Sequence, residues 1–565
     1  ISGTMWLVTI GFVYGLKSIW LPWLWPIFNQ VFLMVYLSIW LRRSNVTTGA
    51  EWIETRFGKG RGARYSHNIV VIFALLGCLG FLAYGFIGLG KFIMIFMPEA
   101  WNLGLESLVG VRYVPHMYGI IVTSFAVLYA ILGGMSSIVW ADVVQYSIMT
   151  ISAVVIAVIA MVKLGSTDIA TLVPEGWTSP LFGRTLDLDW SGIIPEVNRK
   201  IAEDGYQLFS LFFWMMVMKG ILVSAAGPAP SYDMQKILAT KSPKEAAKMS
   251  GFVSVILMPS RYLMIAGFAL LGILFYDQLD LMVGTRLDFE QILPSAIAQF
   301  VPVGLLGLLL AGLLAAFMST FAGTLNAAQA YITNDIYLKY VKPDASNKEI
   351  KRTNYTAGIV TVVVSVILGL FAKNVNQVLQ IIVSALWGSY MASNILKWYW
   401  WRFNSYGYYW GMLIGILAGV SPYVATVFGV DILGTLFPNL APDIRIFYFF
   451  PIILLFSTIG CILGTYMHPA TENHVLVSFY RNVKPWGFWK PIVNQIRNED
   501  SSFVPNRTFG RDMFNIVLGT IGQTALVALP IFLVVKMQWH MVITFMIITL
   551  IFFIMKKTWW DTLEN

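Results

Sequence analysis

Charge and cysteine are what this chain has least of. Asp, Glu, Lys and Arg together make up 12% of its 565 residues, and it holds two cysteines and five histidines. So small a charged fraction, set against 57% hydrophobic residues, excludes a soluble globular protein of this length. Cys78 and Cys461 both lie inside apolar runs, so they imply neither a disulfide framework nor a thiolate metal site and are expected to be packing residues. There is no GxxxxGKS loop and no HExxH helix, and the histidines are scattered. ATP-driven transport and catalysis therefore lack support, and the chain is not expected to be an enzyme. An initiator Met and a signal peptide are missing too. Residues 1–15 read as a helix entered halfway, so an upstream segment is expected.

What is abundant is apolar sequence of membrane-spanning length. Runs near or above about 20 residues predict helices near 17–41, 69–97, 117–138, 140–163, 207–235, 251–276, 297–337, 355–372, 376–400, 407–430, 444–466, 513–535 and 538–555. The class is a polytopic, all-α membrane protein. Its net charge of +9 is sorted by loop. One alternate set is basic, with Arg42, Arg43, Arg56, Lys59, Arg61 and Arg64, then Lys236 to Lys248, Lys339 to Arg352, the 467–512 loop, and Lys556 and Lys557. The other set is acidic, notably 164–206 with Asp187, Asp189 and Asp204, and 277–290. By the positive-inside rule the basic loops and the C-terminus face the cytoplasm of a cell inner (plasma) membrane, and the charge needs no nucleic-acid partner. Trp and Tyr at helix ends, including KWYWWRFNSYGYYW from Lys397 to Trp410, are assigned to aromatic belts.

Two segments carry polar chemistry at membrane depth. Residues 304–337 place Ser319, Thr320 and Thr324 inside an apolar helix. A hard cation such as sodium wants oxygen ligands, and hydroxyls and loosened carbonyls are the oxygens a bilayer protein can offer. The same hydroxyls can bond back to their own helix or grip a neighbouring one, and spacing alone leaves the readings open. The second segment, Ser224 to Tyr232, holds Gly227, Pro228 and Pro230, which cannot sustain a helix. An unwound stretch there would line a cavity, and Ile1 to Thr4 is the candidate matching break five helices earlier; a simple kink is the other reading. Asp142, Lys219, Asp233 and Arg261 are further charges in apolar surroundings. Asp142 either meets a cation or caps the helix after the Gly133-Gly134 turn. Lys219 either meets a substrate carboxylate, pairs with an acid or snorkels.

The stretches GGMSSIVWADVVQ (Gly133 to Gln145), MQKILATKSPKEA (Met234 to Ala246) and AGLLAAFMSTFAGTLNAAQAYITNDIY (Ala311 to Tyr337) together resemble the sodium:solute symporter family. The resemblance runs from Ile1 to about residue 466. It implies a LeuT-like five-plus-five inverted repeat with broken first and sixth helices and extra C-terminal helices. The organisation it implies is a transporter core over 1–402 with its first helix incomplete, peripheral helices over 403–466, a cytoplasmic loop over 467–512, and a C-terminal helix pair with a short tail over 513–565. It also implies a sodium site made of the Ile1 and Ala316 carbonyls and the Ser319 and Thr320 hydroxyls, with Asp142 on the release path. Members with a second sodium have hydroxyls where this chain has Ala322 and Gly323, so one sodium per solute is expected. On the solute side, Tyr232 matches an inner-gate tyrosine and Gln380 a sugar-contacting glutamine, while Met5 and Leu24 depart from the sugar-branch contacts. Ser2, Met5 and Lys219 complete the candidate substrate set. The implied activity is sodium-coupled symport of a small polar organic solute, a sugar or a carboxylate-bearing molecule, by alternating access. A solute sensor or a channel on the same fold is the alternative. The expected ligands are the sodium ion and the solute, within a lipid bilayer, and no obligate protein partner is inferred.

Overall fold

The computed structural model describes residues 2–21, 28–46, 48–96, 113–230, 232–283, 286–371, 387–440 and 442–563. Helices used below are α1 (Ser2–Tyr14), α2 (29–43), α3 (Glu51–Phe57), α4 (Arg61–Phe96), α5 (Val114–Leu164), α6 (Phe209–Ala226), α7 (Tyr232–Leu238), α8 (Pro243–Leu274) and α9 (Val303–Ala330). They are followed by α10 (Asn347–Phe371), α11 (Trp387–Tyr399), α12 (Ser405–Val427), α13 (Pro442–Tyr466), α14 (Asn473–Val483), α15 (Lys490–Glu499), α16 (Phe509–Val534) and α17 (Gln538–Thr558). Among the described residues the strands are a two-stranded ribbon, Met282–Val283 against Arg286–Leu287, so the all-α expectation stands.

Ten described helices are long and apolar enough to cross a membrane. Three expected spans are not among them. The 17–41 run is interrupted: a 3₁₀ turn covers Gly15–Ile19, Gly15 has φ 54°, and the helix that follows contains a π-helical stretch, Leu33–Leu37. The 117–138 run does not stand apart, because α5 continues without a helix break for 51 residues from Val114 to Leu164. No proline follows Pro115 in it, and Gly133-Gly134 weakens a helix without ending it. The 376–400 run is described only from Trp387, as α11.

Two large cores divide the molecule along its length. One joins α1, the second half of α5, α8 and the start of α9 to the 164–206 segment, with Phe12, Trp177, Trp190 and Ile292 at its centre. The other joins α2, α3, α11, α14 and α15, with Trp40, Trp52, Trp398 and Trp489. The first lies at the end carrying the acidic loops and the second at the end carrying the basic ones. Between α12 and α13 the backbones meet over glycines: a side chain at Gly407 or Gly411 would collide with Thr465 or Cys461, and one at Gly460 or Gly464 with the α12 backbone. Small residues let apolar helices approach without a hydrophobic drive from lipid. Cys461, with no exposed surface, is there as packing, as expected.

At the acidic end, residues 165–206 fold back over the C-terminal end of α1. Carbonyls that a helix end leaves unpaired need donors. Here Trp177 Nε1 donates to Phe12 O at 2.9 Å and Trp190 Nε1 to Val13 O at 3.2 Å. Trp20 Nε1 donates to Pro180 O at 2.7 Å, and Tyr14 Oη to Asp204 Oδ2 at 2.6 Å. Within the loop, donors from Ser191 and Asn198 converge on Asp189 and hold its carboxyl at about 2, below the usual range.

Candidate ion and solute site

The helix break predicted in the sixth core helix is where the sequence puts it. α6 ends at Ala226, Gly227 takes φ 88°, and helix resumes at Tyr232. Only a residue without Cβ adopts that backbone cheaply. The freed carbonyls are not idle: Tyr399 Oη donates to Ala225 O at 3.0 Å, Trp398 Nε1 to Ala226 O at 3.4 Å and Tyr390 Oη to Pro228 O at 2.6 Å. All three donors come from α11, whose ring-bearing face is therefore the splint of the broken helix. This corrects the aromatic-belt assignment for part of the KWYWW stretch. Trp398 is 1% exposed and Tyr399 Oη also meets Tyr36 Oη at 2.6 Å, so these rings are interior and not interfacial. Their hydroxyls and indole nitrogen near a Pro/Gly break were the signal that composition alone did not rank.

The hydroxyls of α9 separate into two kinds. Thr324 is 3% exposed and donates to Thr320 O at 2.8 Å, the back-bonded arrangement. Thr320, at the surface of the chain, donates to Ala316 O at 3.2 Å, so two of the expected sodium ligands are engaged with each other along one turn. Ser319 does something different. Its hydroxyl donates across to Asp142 Oδ1 on α5. The other carboxylate oxygen, Oδ2, lies 3.1 Å from the ammonium of Lys236 on α7. Asp142 sits in the interior of α5, not at its start, which removes the capping reading. Three helices thus meet in one polar contact: a hydroxyl, a carboxylate and an ammonium. In the sequence Lys236 was read as a loop charge and as part of the MQKILATKSPKEA stretch, three residues after Asp233.

A second polar cluster lies further along the continuation of α9, where Tyr331–Val341 is π-helical. There His67 Nε2 donates to Asp335 Oδ1 at 2.8 Å, with both side chains almost wholly buried. Thr48 Oγ1 donates to the same oxygen at 3.2 Å, and Lys339 pairs with Glu54 at 2.6 Å. Asp335 Oδ2 is buried and has no partner among the described residues. Sequence reasoning passed over Asp335, though a carboxylate at the end of an apolar run is the signal that singled out Asp142.

The remaining expected residues are distributed as follows. Met5 is buried in the acidic-end core, and Thr9 of the same helix donates to Met5 O and to Phe289 O, each at 3.1 Å. Ser2 opens α1 and Tyr232 opens α7. Lys219 is 1% exposed, with its ammonium 5.4 Å from the Phe447 ring centre on α13, and so lies away from the Ser319–Asp142 contact. Arg261 of α8 lies against Gly3 at the start of α1: a Cβ there would be 3.5 Å from its guanidinium. Ile1, Leu24 and Gln380 fall outside the described residues.

The arrangement can do ion chemistry of one kind. Oxygens from hydroxyl, carbonyl and carboxylate groups sit on neighbouring helices beside a helix break, a set suited to a hard monovalent cation. Among the described residues there is no cluster of His, Cys, Asp and Glu that would hold a transition metal.

Comparison with known proteins agrees with this chemistry. The family model described as sodium:solute symporter family matches residues 3–415. A sodium/glucose cotransporter of Vibrio parahaemolyticus is 24% identical over 434 residues, which is 73% of this chain and 72% of that protein. Sodium/glucose cotransporter 4 of Danio rerio is 24% identical over 493 residues, 80% of this chain and 68% of that protein. A substrate-bound, outward-open structure of a Na⁺-coupled sialic acid symporter superimposes with TM-score 0.53 at 18% identity, covering 83% of this chain and 90% of that one, so the two share a fold.

Proposed function

This chain belongs to the sodium:solute symporter family, and from that premise we propose that it moves one sodium ion with each small polar organic solute by alternating access. It is a multi-pass membrane transporter of LeuT-like fold, with sodium as the coupling ion. The finer reading rests on the contact of Ser319 with Asp142. A hydroxyl whose proton is committed to a carboxylate keeps its lone pairs for a cation. Ala316 O, Ser319 Oγ and Thr320 Oγ1 on one helical face, with a carbonyl of the first helix, would hold the ion. The solute lies between α1, which is helical from Ser2, and the break before α7, gated by Tyr232. The basic end faces the cytoplasm, so sodium runs down its gradient and a membrane potential worth about 2.3 kcal/mol per charge per 100 mV.

Arg261 favours a carboxylate-bearing solute over a sugar. Its guanidinium stands at the start of α1, and among the described residues no acidic group pairs with it. Planar bidentate recognition of a carboxylate is what that side chain does best.

The test uses the purified full chain. Sodium, against choline at equal ionic strength, should raise its melting temperature, and Ser319→Ala should raise the half-maximal sodium concentration at least about tenfold through loss of one ligand. An unchanged sodium titration in that variant removes Ser319 from the site. In proteoliposomes, accumulation of a solute against its gradient, driven by sodium, separates a symporter from a channel or a sensor.

A further inference from the structure

We propose that Lys236 is a tethered cation that shares Asp142 with the transported sodium and sets how easily that ion leaves. The inference rests on Ser319 being a sodium ligand and goes on to assign a residue outside that ligand set.

The geometry is a divided carboxylate. Asp142 Oδ1 takes the Ser319 hydroxyl of α9, and Asp142 Oδ2 takes the Lys236 ammonium of α7 at 3.1 Å. Both charged side chains are only partly buried, with 28% and 29% of their side-chain surface exposed. Such a pair adds little to folding, because solvent screens it and two side chains must be ordered to make it. Its position matters more than its strength. It stands directly behind the hydroxyl that faces the ion, so the ammonium decides how much negative charge the ion feels there.

α7 is also the half of the broken element that carries Lys236. It is joined to α6 through the non-helical Gly227 to Ala229 segment, and Gly227 holds a left-handed backbone. A shift of α7 relative to α5 and α9 would carry the ammonium away from Asp142. Asp233, three residues back on α7, offers a second carboxylate within the field of the same ammonium. With Lys236 withdrawn, Asp142 presents its full charge behind Ser319 and favours sodium. With Lys236 returned, the carboxylate is neutralised, the ion loses part of its attraction and departs toward the basic end. No bond is made or broken; one cation replaces another at a carboxylate. Lys236 is a positioning residue that acts through Asp142.

The experiment measures sodium-22 binding and dissociation on detergent-purified full-length protein. Lys236→Met should lower the half-saturating sodium concentration by about fivefold, the scale of a partly screened ion pair, and slow dissociation by a similar factor. Lys236→Arg should stay near the parent value. The double variant Asp142→Asn with Lys236→Met should match Asp142→Asn alone, since a residue acting only through Asp142 has nothing left to act on. Lys236→Gln is read in the same way if the Met variant does not elute as a single species. Unchanged or weakened sodium binding in the neutral variants, or effects additive with Asp142→Asn, overturns the assignment. A parent protein that binds no sodium-22 overturns the proposed function itself, whereas a binding parent with an indifferent Lys236 leaves that function standing and removes only this inference.

Discussion

The two ends of the molecule are closed by different chemistry. At the acidic end, indole groups donate to backbone carbonyls of α1 and the loop above it, as in Trp177 to Phe12 and Trp190 to Val13. At the basic end, bonds to carbonyls are joined by contacts of carboxylates: Asp142 with Lys236, Asp335 with His67, and Glu54 with Lys339. Neutral hydrogen bonds to carbonyls are indifferent to passing ions, while carboxylates and ammonium groups exchange partners with them. The difference teaches where an ion can act. Groups of the second kind are those for which a cation competes, and at the basic end they join α5, α7 and α9.

Arg56 offers the largest way to break the comparison. It is fully buried on α3, and it donates to the carbonyls of Lys397, Trp400, Trp401 and Phe403 at 3.0 to 3.3 Å. The rings of Phe57, Phe479 and Trp489 surround its guanidinium within 5.3 Å. Arg56→Met should cost about 3 kcal/mol, because buried carbonyls lose their donor, and Arg56→Lys should recover little of it. Thermal melting in detergent reads both. A Met variant as stable as the parent would show that α3, α11 and the 467–512 segment are held together by their rings alone.

Asp335→Asn should cost less, about 1–2 kcal/mol, since an amide can still accept from His67 and Thr48. Its effect should shrink as salt is raised if the His67 contact is ionic, and stay constant if it is a neutral hydrogen bond. At the opposite end, Trp177→Phe loses the donor to Phe12 O, worth about 1 kcal/mol, together with the pyrrole part of a buried ring. That loss should be insensitive to salt and to sodium. A sodium-dependent Trp177→Phe effect would mean that the two ends are coupled more tightly than their chemistry suggests.

Much of this was legible in the residues. The Gly227 to Pro230 break follows from what proline and glycine do to any helix, and it appears where the sequence puts it. Loop charges sorted the chain into two ends, and the contacts within each end agree with that sorting. Thr320 and Thr324 took the back-bonded form, and Ser319 grips a neighbouring helix. Other features were hidden for physical reasons. Trp398 and Tyr399 look like belt residues because an aromatic ring at a helix end has the same composition signature whether it faces lipid or a neighbouring break. The 467–512 segment reads as a polar loop, yet Trp489 Nε1 donates to Trp398 O at 2.9 Å and Phe488 N to Tyr399 O at 2.7 Å, so it is folded onto α11. α5 ran through the expected turn because two glycines are a weak stop without a proline.

Hydrophobic run length, loop charge and the placement of Pro and Gly were enough to determine a helical membrane protein with a broken sixth core helix, because each is a local cost that no packing can cancel in lipid. Which oxygen meets which ammonium was left to the folded chain. Asp142, Lys236 and Ser319 lie on α5, α7 and α9, separated by up to 177 residues in sequence, and only the packing of those three helices brings one carboxylate between a hydroxyl and a cation.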